Sequence, residues 1–495
     1  MIKKICVTVL VLFLLLPSWS QAGSFGKDDP SGVPGQWYVG TTPSSIDTSK
    51  HPILFVHGLN SSSNTWWNEN NMYETAYQNG YETSFIDLYP TKNMWDNGAL
   101  LAQKIHDIYN YYGEKVVVVA HSKGGIDTQS ALVHYGAYPY VARVITLSTP
   151  HHGSQLADLA YSSWAGWLTG ILGSKNDATY SLQTGYMSYF RSETDQHSNW
   201  NRTPIYTFGG TKWGSFGSSL YWGGLYLRAY GSNDGAVTVN SSRLPYATEL
   251  KVGDWNHSTI KEGSSTFHLF KNYLNESTNT TSGFQAQSVM ELNSAEDAGS
   301  LVRGGEYNGF KDEKVLIEKG VESVTFDWIS SNPSPSLSLK DPSSKDISTF
   351  KIKEDESEYF NGAYHHTVTI QDPTPGEWTV EALSHFKDQY LLQVSFGHSS
   401  VNDVMSLNIV QDKIILKAKD TKLKLKHDMT IEYYKDGKLK HSKVKAKNDS
   451  LTIPKLGEGV YNVTIDVEGA IDKNKFNRTF IKTVYVDASG KVFGN

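Results

Sequence analysis

Cysteine is nearly absent from this sequence, and long apolar segments are absent after the first twenty residues. The single cysteine among 495 residues, Cys6, lies in the leader described below. We therefore expect the exported chain to have no disulfide bond and no thiolate metal site. No later segment is apolar and long enough to cross a membrane, and no nucleic-acid-binding signature is present. A chain of this length is too long for one compact core, so several domains are expected.

The N-terminal residues have the three parts of a signal peptide. Lys3 and Lys4 give a positive start, residues 5–16 form a short apolar run, and Ser20-Gln21-Ala22 is a small-residue cleavage site. We predict a signal peptide over residues 1–22 and secretion of the remaining chain.

Strands and helices alternate through the first half of the chain, which we assign as a domain over residues 23–280. Continuous apolar stretches such as "HPILFVHG" and "KVVVVAHS" are typical of buried strands, and helical stretches such as "NGALLAQKIHDIYNYYG" separate them. This pattern predicts an α/β domain with a mostly parallel sheet and helices on both faces.

From about residue 285 the helical patterns stop and short alternating strands follow. Turn signals such as "SSNPSPS" and "YKDGK" separate the strands, and we predict two β-sandwich domains over residues 285–400 and 401–495. The stretch "KIILKAKDTKLKLKH" alternates lysine with apolar residues, which most simply predicts a strand with a solvated lysine face. The alternative is a basic surface that contacts an anionic cell wall or membrane.

The segment "VVVVAHSKGG" indicates a nucleophilic serine. Ser122 follows a four-valine strand and precedes a helix, so it occupies a sharp strand-to-helix turn. Such a turn requires small residues two positions before and two after the serine, and Ala120 and Gly124 stand there. The turn raises the hydroxyl above the sheet and directs the helix N-terminus toward the reacting carbonyl.

A serine hydroxyl needs a base to take its proton and a carboxylate to hold that base. Asp234, in "YGSNDGAV", and His257, in "DWNHSTI", each follow a later strand and are the candidates. Two rivals are weaker: Asp254 is too close in sequence to orient His257, and His268 falls within a predicted closing helix.

The oxyanion that forms during acyl transfer requires two backbone N–H donors. Lys123, which follows the nucleophile, supplies one, and Leu59, after "FVHG", supplies the other. The Lys123 side chain is expected in solvent, either as an ordinary helix-terminal lysine or as a charge at the rim of the site.

The segments "FVHGLN", "AHSKGG", "LSTPHHGS", "NDGAVTVNSSRLP" and "DWNHSTI" together resemble secreted bacterial lipases and esterases of the α/β-hydrolase superfamily. The resemblance covers roughly residues 35–275. It implies Ser122, Asp234 and His257 as a triad, with His57 and His121 supporting loops. Many of these lipases hold calcium with an aspartate soon after the catalytic histidine. Here residues 258–260 are Ser-Thr-Ile, so a calcium site is not supported and no cofactor is expected.

Aromatic and apolar residues cluster in segments expected near the mouth of the site. The stretch "SQLADLAYSSWAGWLTGILGS" has an apolar stripe at helical spacing, which indicates either a helix packed on the core or a lid that forms an acyl-binding wall. The predicted substrate-binding residues are Trp66, Trp164, Trp167, Leu168 and Ile171.

The sequence therefore predicts a serine ester hydrolase acting on fatty-acyl esters, a triacylglycerol lipase or carboxylesterase, with lipid at an interface as its partner. An extracellular polyester depolymerase of the polyhydroxyalkanoate type shares every catalytic residue and remains an alternative. A surface-binding protein with an inactive hydrolase domain is a second, weaker alternative.

Overall fold

The protein is described by a computed structural model. The described residues are 32–165, 175–275, 300–347, 349–355, 362–399, 401, 405–410, 412–418, 423–446, 450–471 and 473–494. None of the helices in these ranges is long and apolar enough to cross a membrane.

A seven-stranded mixed sheet forms the centre of the N-terminal half, in the order β1-β3-β2-β4-β5-β6-β7. The strands from β2 to β7 are parallel, and β1, which was not predicted from the sequence, pairs antiparallel with β3 at one edge. Their bounds are β1 (Trp37–Val39), β2 (Ile53–Val56), β3 (Thr83–Ile86), β4 (Val116–His121), β5 (Val141–Leu147), β6 (Ile205–Gly210) and β7 (Thr248–Gly253). Every residue of β2, β3, β4 and β6 is buried, as expected of a sheet covered on both faces.

Helices cover both faces of this sheet. The longest, α2, begins after Asn93, whose side chain accepts hydrogen bonds from two backbone N–H groups, and ends at Gly113 in the left-handed conformation. The helix after the nucleophile, α3, is buried along its whole length. The helices are α1 (Met72–Gln78), α2 (Met94–Tyr112), α3 (Lys123–Val133), α4 (Gln155–Ala160), α5 (Asp177–Ser181), α6 (Thr184–Asp195), α7 (Ser219–Leu227) and α8 (His268–Phe270).

The C-terminal half consists mostly of antiparallel strands. One sheet contains β8 (Leu301–Ile317), β9 (Ser323–Ser330), β10 (Ser336–Lys340), β11 (Lys351–Glu354), β12 (Tyr364–Gln371) and β13 (Gly376–Gly397). Two further sheets enclose another apolar cluster. They contain β14 (Met405–Val410), β15 (Lys413–Ala418) and β18 (Ser450–Thr452), and β16 (Lys424–Lys435), β17 (Lys438–Ala446), β19 (Gly459–Ile471), β20 (Asn474–Val486) and β21 (Val492–Phe493). The predicted fold class, an α/β-hydrolase fold followed by all-β sheets, is confirmed.

One apolar cluster joins the two halves. It extends from Leu59 and Ile126, beside the nucleophile turn, through Trp222 of α7 to residues of the C-terminal sheets. The C-terminal members are Val302, Ile329, Ala363, Leu391 and Ile481. The C-terminal half therefore packs on the side of the catalytic domain that carries the candidate site.

Candidate active site

The turn between β4 and α3 has the geometry expected of a nucleophile. Ser122 has φ +54° and ψ −133°, a conformation that an L-residue rarely adopts. The loop after β2 approaches this turn closely: a Cβ added at Gly124 would lie 2.3 Å from the carbonyl oxygen of His57, and one added at Gly58 would lie 2.7 Å from Ser122 Cβ. Only glycine fits at these two positions.

Three of the predicted site residues lie in one hydrogen-bonded line. His257 Nε2 is 3.1 Å from Ser122 Oγ, and His257 Nδ1 is 2.7 Å from Asp234 Oδ2. The other oxygen of Asp234 accepts hydrogen bonds from the backbone N–H groups of Ala236 and Val237, at 2.9 and 2.7 Å. All three residues of the line are buried, so the carboxylate faces His257 from a fixed position.

The loop that carries His257 is held by a second histidine. His121 Nε2 lies 2.8 Å from the carbonyl oxygen of His257, and the two rings are 4.7 Å apart between centroids. Burial and the neighbouring His257 hold the pKa of His121 well below its usual value. His121 is therefore neutral, and its Nε2–H donates to the His257 carbonyl.

The two expected oxyanion donors belong to separate segments, the start of α3 and the loop after β2. Lys123 is the first residue of α3, and Leu59 follows Gly58, whose Cα lies against Ser122. His57 fixes the peptide between Gly58 and Leu59. Its Nε2 accepts from the N–H of Leu88 at 2.9 Å, so its Nδ1 carries the proton and donates to the Gly58 carbonyl at 2.8 Å. Because the C=O and N–H of one peptide point in opposite directions, this bond sets the direction of the Leu59 N–H.

The expectation for the Lys123 side chain was wrong. The residue is only 1% exposed, and its Nζ donates to both carboxylate oxygens of Asp127, at 2.6 and 2.8 Å. Asp127 is four positions further along α3, a spacing that brings two side chains together on one helix face. That spacing was visible in the sequence, but the burial of the pair depends on α2 packing over it.

The predicted substrate-binding residues lie in different environments. Trp66 is fully buried and packs on Phe55 at 4.9 Å between ring centroids, which makes it a core residue and corrects the expected place at the mouth. The predicted apolar stripe is not one continuous helix, because α4 ends at Ala160. Trp164 follows as a turn residue, and its indole N–H donates to Asp466 of β19. The remaining three, Trp167, Leu168 and Ile171, lie outside the described residues.

Two of the apolar and aromatic segments predicted near the site do supply residues to the apolar cluster beside the nucleophile turn. Leu156 of α4 and Trp222 of α7 belong to the same cluster as Leu59 and Ile126. The aromatic stretch around Trp222 was visible in the sequence, but which of its residues face the site depends on the packing of α7. The rival Asp254 lies at the surface near Lys212, and His268 is exposed.

The described residues contain no group of three or more His, Cys, Asp and Glu side chains that could hold a metal ion. The expectation that the protein needs no cofactor stays a prediction.

Comparisons with known proteins agree with this geometry. Residues 47–163 match the family described as the PGAP1-like alpha/beta domain. Triacylglycerol lipase 2 of Saccharomyces cerevisiae is 31% identical over 165 residues, which cover 30% of this chain and 49% of the yeast protein. The chain thus spans about half the length of this curated relative.

A solved structure covers nearly the whole chain. The lipase BlEst2 of Bacillus licheniformis in its propeptide form is 42% identical and has a TM-score of 0.83. The match covers 94% of this chain and 100% of the Bacillus chain, so it includes the C-terminal sheets. This chain therefore belongs to the lipases of the α/β-hydrolase superfamily, as a member with a C-terminal all-β extension.

Proposed function

We propose that the protein is a secreted serine carboxylic-ester hydrolase that cleaves fatty-acyl esters through an acyl-enzyme on Ser122. The observation that carries the proposal is the hydrogen-bonded line from Ser122 through His257 to Asp234. Secretion is supported by the signal-peptide pattern of residues 1–22.

The proposed reaction has two halves. Ser122 Oγ attacks the ester carbonyl carbon while its proton passes to His257 Nε2, and Asp234 stabilises the imidazolium. The N–H groups of Leu59 and Lys123 bind the oxyanion of the tetrahedral intermediate. His257 then protonates the leaving alkoxide and the acyl group stays on Ser122. Water attacks the acyl-enzyme, gives its proton to His257, and releases the fatty acid as Ser122 regains its proton.

The apolar surroundings of the site support a fatty-acyl substrate. Leu59 and Ile126, beside the nucleophile turn, belong to one buried apolar cluster with Leu156 and Trp222, and apolar surroundings suit an alkyl chain better than a charged group. The names of the yeast and Bacillus relatives, both lipases, support the same substrate class.

A hydrolysis series tests this proposal. The substrates are p-nitrophenyl esters from acetate to palmitate, emulsified triolein and a polyhydroxyalkanoate film. Each is measured with the wild type, with Ser122→Ala and with Ser49→Ala, a change at an exposed surface serine. Long-chain and triolein turnover that Ser122→Ala abolishes and Ser49→Ala retains supports a lipase.

Other outcomes favour the alternatives. Activity confined to short esters reduces the assignment to an esterase, and clearing of the film favours a polyester depolymerase. No serine-dependent turnover on any substrate would contradict the enzyme proposal and favour a binding protein with an inactive hydrolase domain.

We further propose that the C-terminal sheets are a propeptide that covers the catalytic domain. The Bacillus relative that matches 94% of this chain was solved in a propeptide form. Here Ser122 is 2% exposed and His257 is 4% exposed, and residues of the C-terminal sheets complete the apolar cluster at the site. Polar contacts support the same interface: Asn462 donates to the Asp158 carbonyl at 2.8 Å, and Arg228 donates to the Phe396 carbonyl at 2.9 Å.

Labelling of Ser122 by a small p-nitrophenyl phosphonate, before and after limited proteolysis of the full chain, tests this second proposal. We expect the labelling rate to rise after proteolysis, since removal of the cover opens the site. An equal rate before and after removal of the C-terminal sheets would contradict it.

A contact between the C-terminal strands and a cell wall or polymer is a separate proposal, supported by the alternating lysines of residues 413–426. Sedimentation of the full-length Ser122→Ala protein with bacterial cell walls, at low and high salt, tests it. Binding that high salt abolishes is the expected result, and no binding at low salt contradicts it.

A further inference from the structure

A buried polar network connects the nucleophile turn to the neighbouring helix α2. Beyond its two contacts with Lys123, the Asp127 carboxylate accepts a hydrogen bond from Asn97 Nδ2 at 2.9 Å. Lys123, Asp127 and Asn97 are each at most 2% exposed, so water does not compete for these contacts.

Asn97 connects this network to the segment that follows β3. Its Nδ2 also donates to the Tyr89 carbonyl at 3.0 Å, and its Oδ1 accepts from the Tyr89 N–H at 3.1 Å. These two hydrogen bonds to the backbone of Tyr89 fix both its position and its orientation.

The same segment holds the loop that carries Leu59. The N–H of Leu88 donates to His57, which fixes the Gly58 carbonyl, and the N–H of Asn60 donates to the Pro90 carbonyl at 3.0 Å. Residues 88–90 are therefore bound on one side to the oxyanion loop and on the other, through Asn97, to the nucleophile turn.

We propose that Lys123, Asp127 and Asn97 are positioning residues that set the two oxyanion donors, the N–H groups of Lys123 and Leu59, relative to each other. This inference rests on the proposed ester hydrolysis. The two donors belong to separate segments, and each must lie about 3 Å from the developing oxyanion to stabilise it. The buried network and the backbone of residues 88–90 together connect those two segments without a gap.

Stability gives no reason to bury this ion pair. Burial lowers the pKa of Lys123 and raises that of Asp127, so the loss of hydration works against both charges. Apolar residues of similar size commonly replace a buried ion pair without loss of stability. Unlike an apolar side chain, the Lys123 side chain makes directional hydrogen bonds. It makes them from the residue whose own N–H is one of the two oxyanion donors.

The test compares three variants in the full chain: Asp127→Asn, Asn97→Ala and the double variant Lys123→Met/Asp127→Leu. The double variant removes both charges and keeps apolar volume, so it gives the decisive comparison where Asp127→Asn, which leaves the buried Lys123 ammonium beside a neutral amide, does not fold. The matched control is Lys104→Met/Asp107→Leu, which removes an ion pair of 3.2 Å from the partly exposed side of α2. Each protein is measured before and after the same protease treatment.

Three readouts separate positioning from stability: kcat and KM for p-nitrophenyl butyrate, the rate of phosphonate labelling of Ser122, and the Tm. We expect kcat and the labelling rate to fall together by ~10-fold or more, up to the ~100-fold typical of a lost oxyanion donor, while KM changes by less than about 3-fold. The control variant is expected to keep both rates within about 2-fold of the wild type, because exposed ion pairs contribute little.

A folded double variant with unchanged kcat and labelling rate overturns the inference, even if its Tm is lower. The phosphonate also separates this inference from the proposed function. A wild type that is labelled but hydrolyses no ester contradicts the proposed function, and the labelling rates of the variants still decide the positioning role. A wild type that is neither labelled nor active, before or after proteolysis, counts against both.

Discussion

At the scale of single residues, Gly124 is a position where the neighbouring backbone leaves no room for a side chain. A Cβ there would lie 2.3 Å from the His57 carbonyl oxygen and 2.9 Å from that of Val56. Both atoms belong to the backbone, so Gly124→Ala must move the end of β2 away from α3. We expect a loss of ~1–3 kcal/mol in the free energy of unfolding and a fall in kcat of ~10-fold or more, since the loop that carries Leu59 moves as well.

Gly113→Ala is the control for this prediction. Gly113 has φ +73° and open space around its Cα, so alanine adds strain of about 1 kcal/mol there without a steric collision. Urea unfolding and kcat are measured for both variants. Equal losses of activity in the two variants would show that general destabilisation, and not the close approach at Gly124, lowers kcat.

The positions of Ser122, Asp234 and His257 could be predicted because each follows a strand, and the structure brings these three side chains within hydrogen-bonding distance. The burial of Lys123 could not be predicted in the same way. It depends on Asn97, which lies 30 positions before Asp127, the partner of Lys123, and meets Asp127 only because α2 packs on α3.

At the scale of elements, the strand before the nucleophile and the helix after it could be predicted, because a run of buried β-branched residues changes abruptly to a helical pattern. The closing segment, predicted as one helix, instead contains a π turn, a short α8 and a 3-10 turn between Gly263 and Leu274. Periodicity does not distinguish these turn types. The end of α4 was also not predictable, since its contacts come from distant residues.

Asp158 of α4 gives the interface with the C-terminal sheets a dependence on pH. Its carboxylate accepts from Thr184 Oγ1 at 2.7 Å and from Thr483 Oγ1 of β20 at 2.8 Å. Burial outweighs these hydrogen bonds and raises its pKa to about 6. We expect separation of the C-terminal sheets to expose this carboxyl to water and to return its pKa toward the ordinary value near 4. The bound state therefore takes up a proton more readily, and binding strengthens as the pH falls from about 6 to about 4.

Limited proteolysis first cuts the chain between the catalytic domain and the C-terminal sheets. Size-exclusion chromatography between pH 4 and 7 then measures how much of the C-terminal fragment stays bound to the catalytic domain. We expect stronger retention at pH 4.5 than at pH 6.5 in the wild type and no such difference in Asp158→Asn. Asp177→Asn, at an exposed carboxylate paired with Lys92, is the control and should follow the wild type. Weaker retention at the lower pH in the wild type alone would contradict the assigned role of Asp158.

At the scale of the whole molecule, the sequence allowed prediction of an α/β half and an all-β half, because the change of periodicity near residue 285 is abrupt. It did not allow prediction of how the halves meet. Alternation shows that Ile329 or Leu391 has a buried side, but not that this side faces the catalytic domain. The partner surface comes from turns and helices that have no such pattern.

A buried ionic cluster lies where the two halves meet. His365 of β12 contacts Asp327 at 2.7 Å and Asp355 at 2.8 Å, and the ring of Trp222 from α7 is 5.7 Å away between centroids. Burial alone would lower the pKa of His365, but the two carboxylates outweigh it and raise the pKa to about 10. A raised pKa means that protonation stabilises the folded state. This stabilisation is complete below pH ~6.5, the ordinary pKa of histidine, and is lost as the pH rises toward 10.

We therefore expect His365→Gln to lower the Tm of the full chain most at pH 6 and progressively less toward pH 10, where the wild type has itself lost the charged imidazole. Differential scanning calorimetry at pH 6, 8 and 10 measures the difference in Tm between the wild type and the variant. His398→Gln is the matched control, because His398 faces Glu322 at 3.0 Å from an exposed position next to the same sheet, and exposed pairs contribute little. A Tm difference for His365→Gln that stays constant from pH 6 to 10 would mean that the side chain contributes packing alone. A Tm difference that narrows with rising pH would show that protonation of His365 stabilises this part of the interface, because the neutral ring no longer offsets the negative charges of the two buried carboxylates.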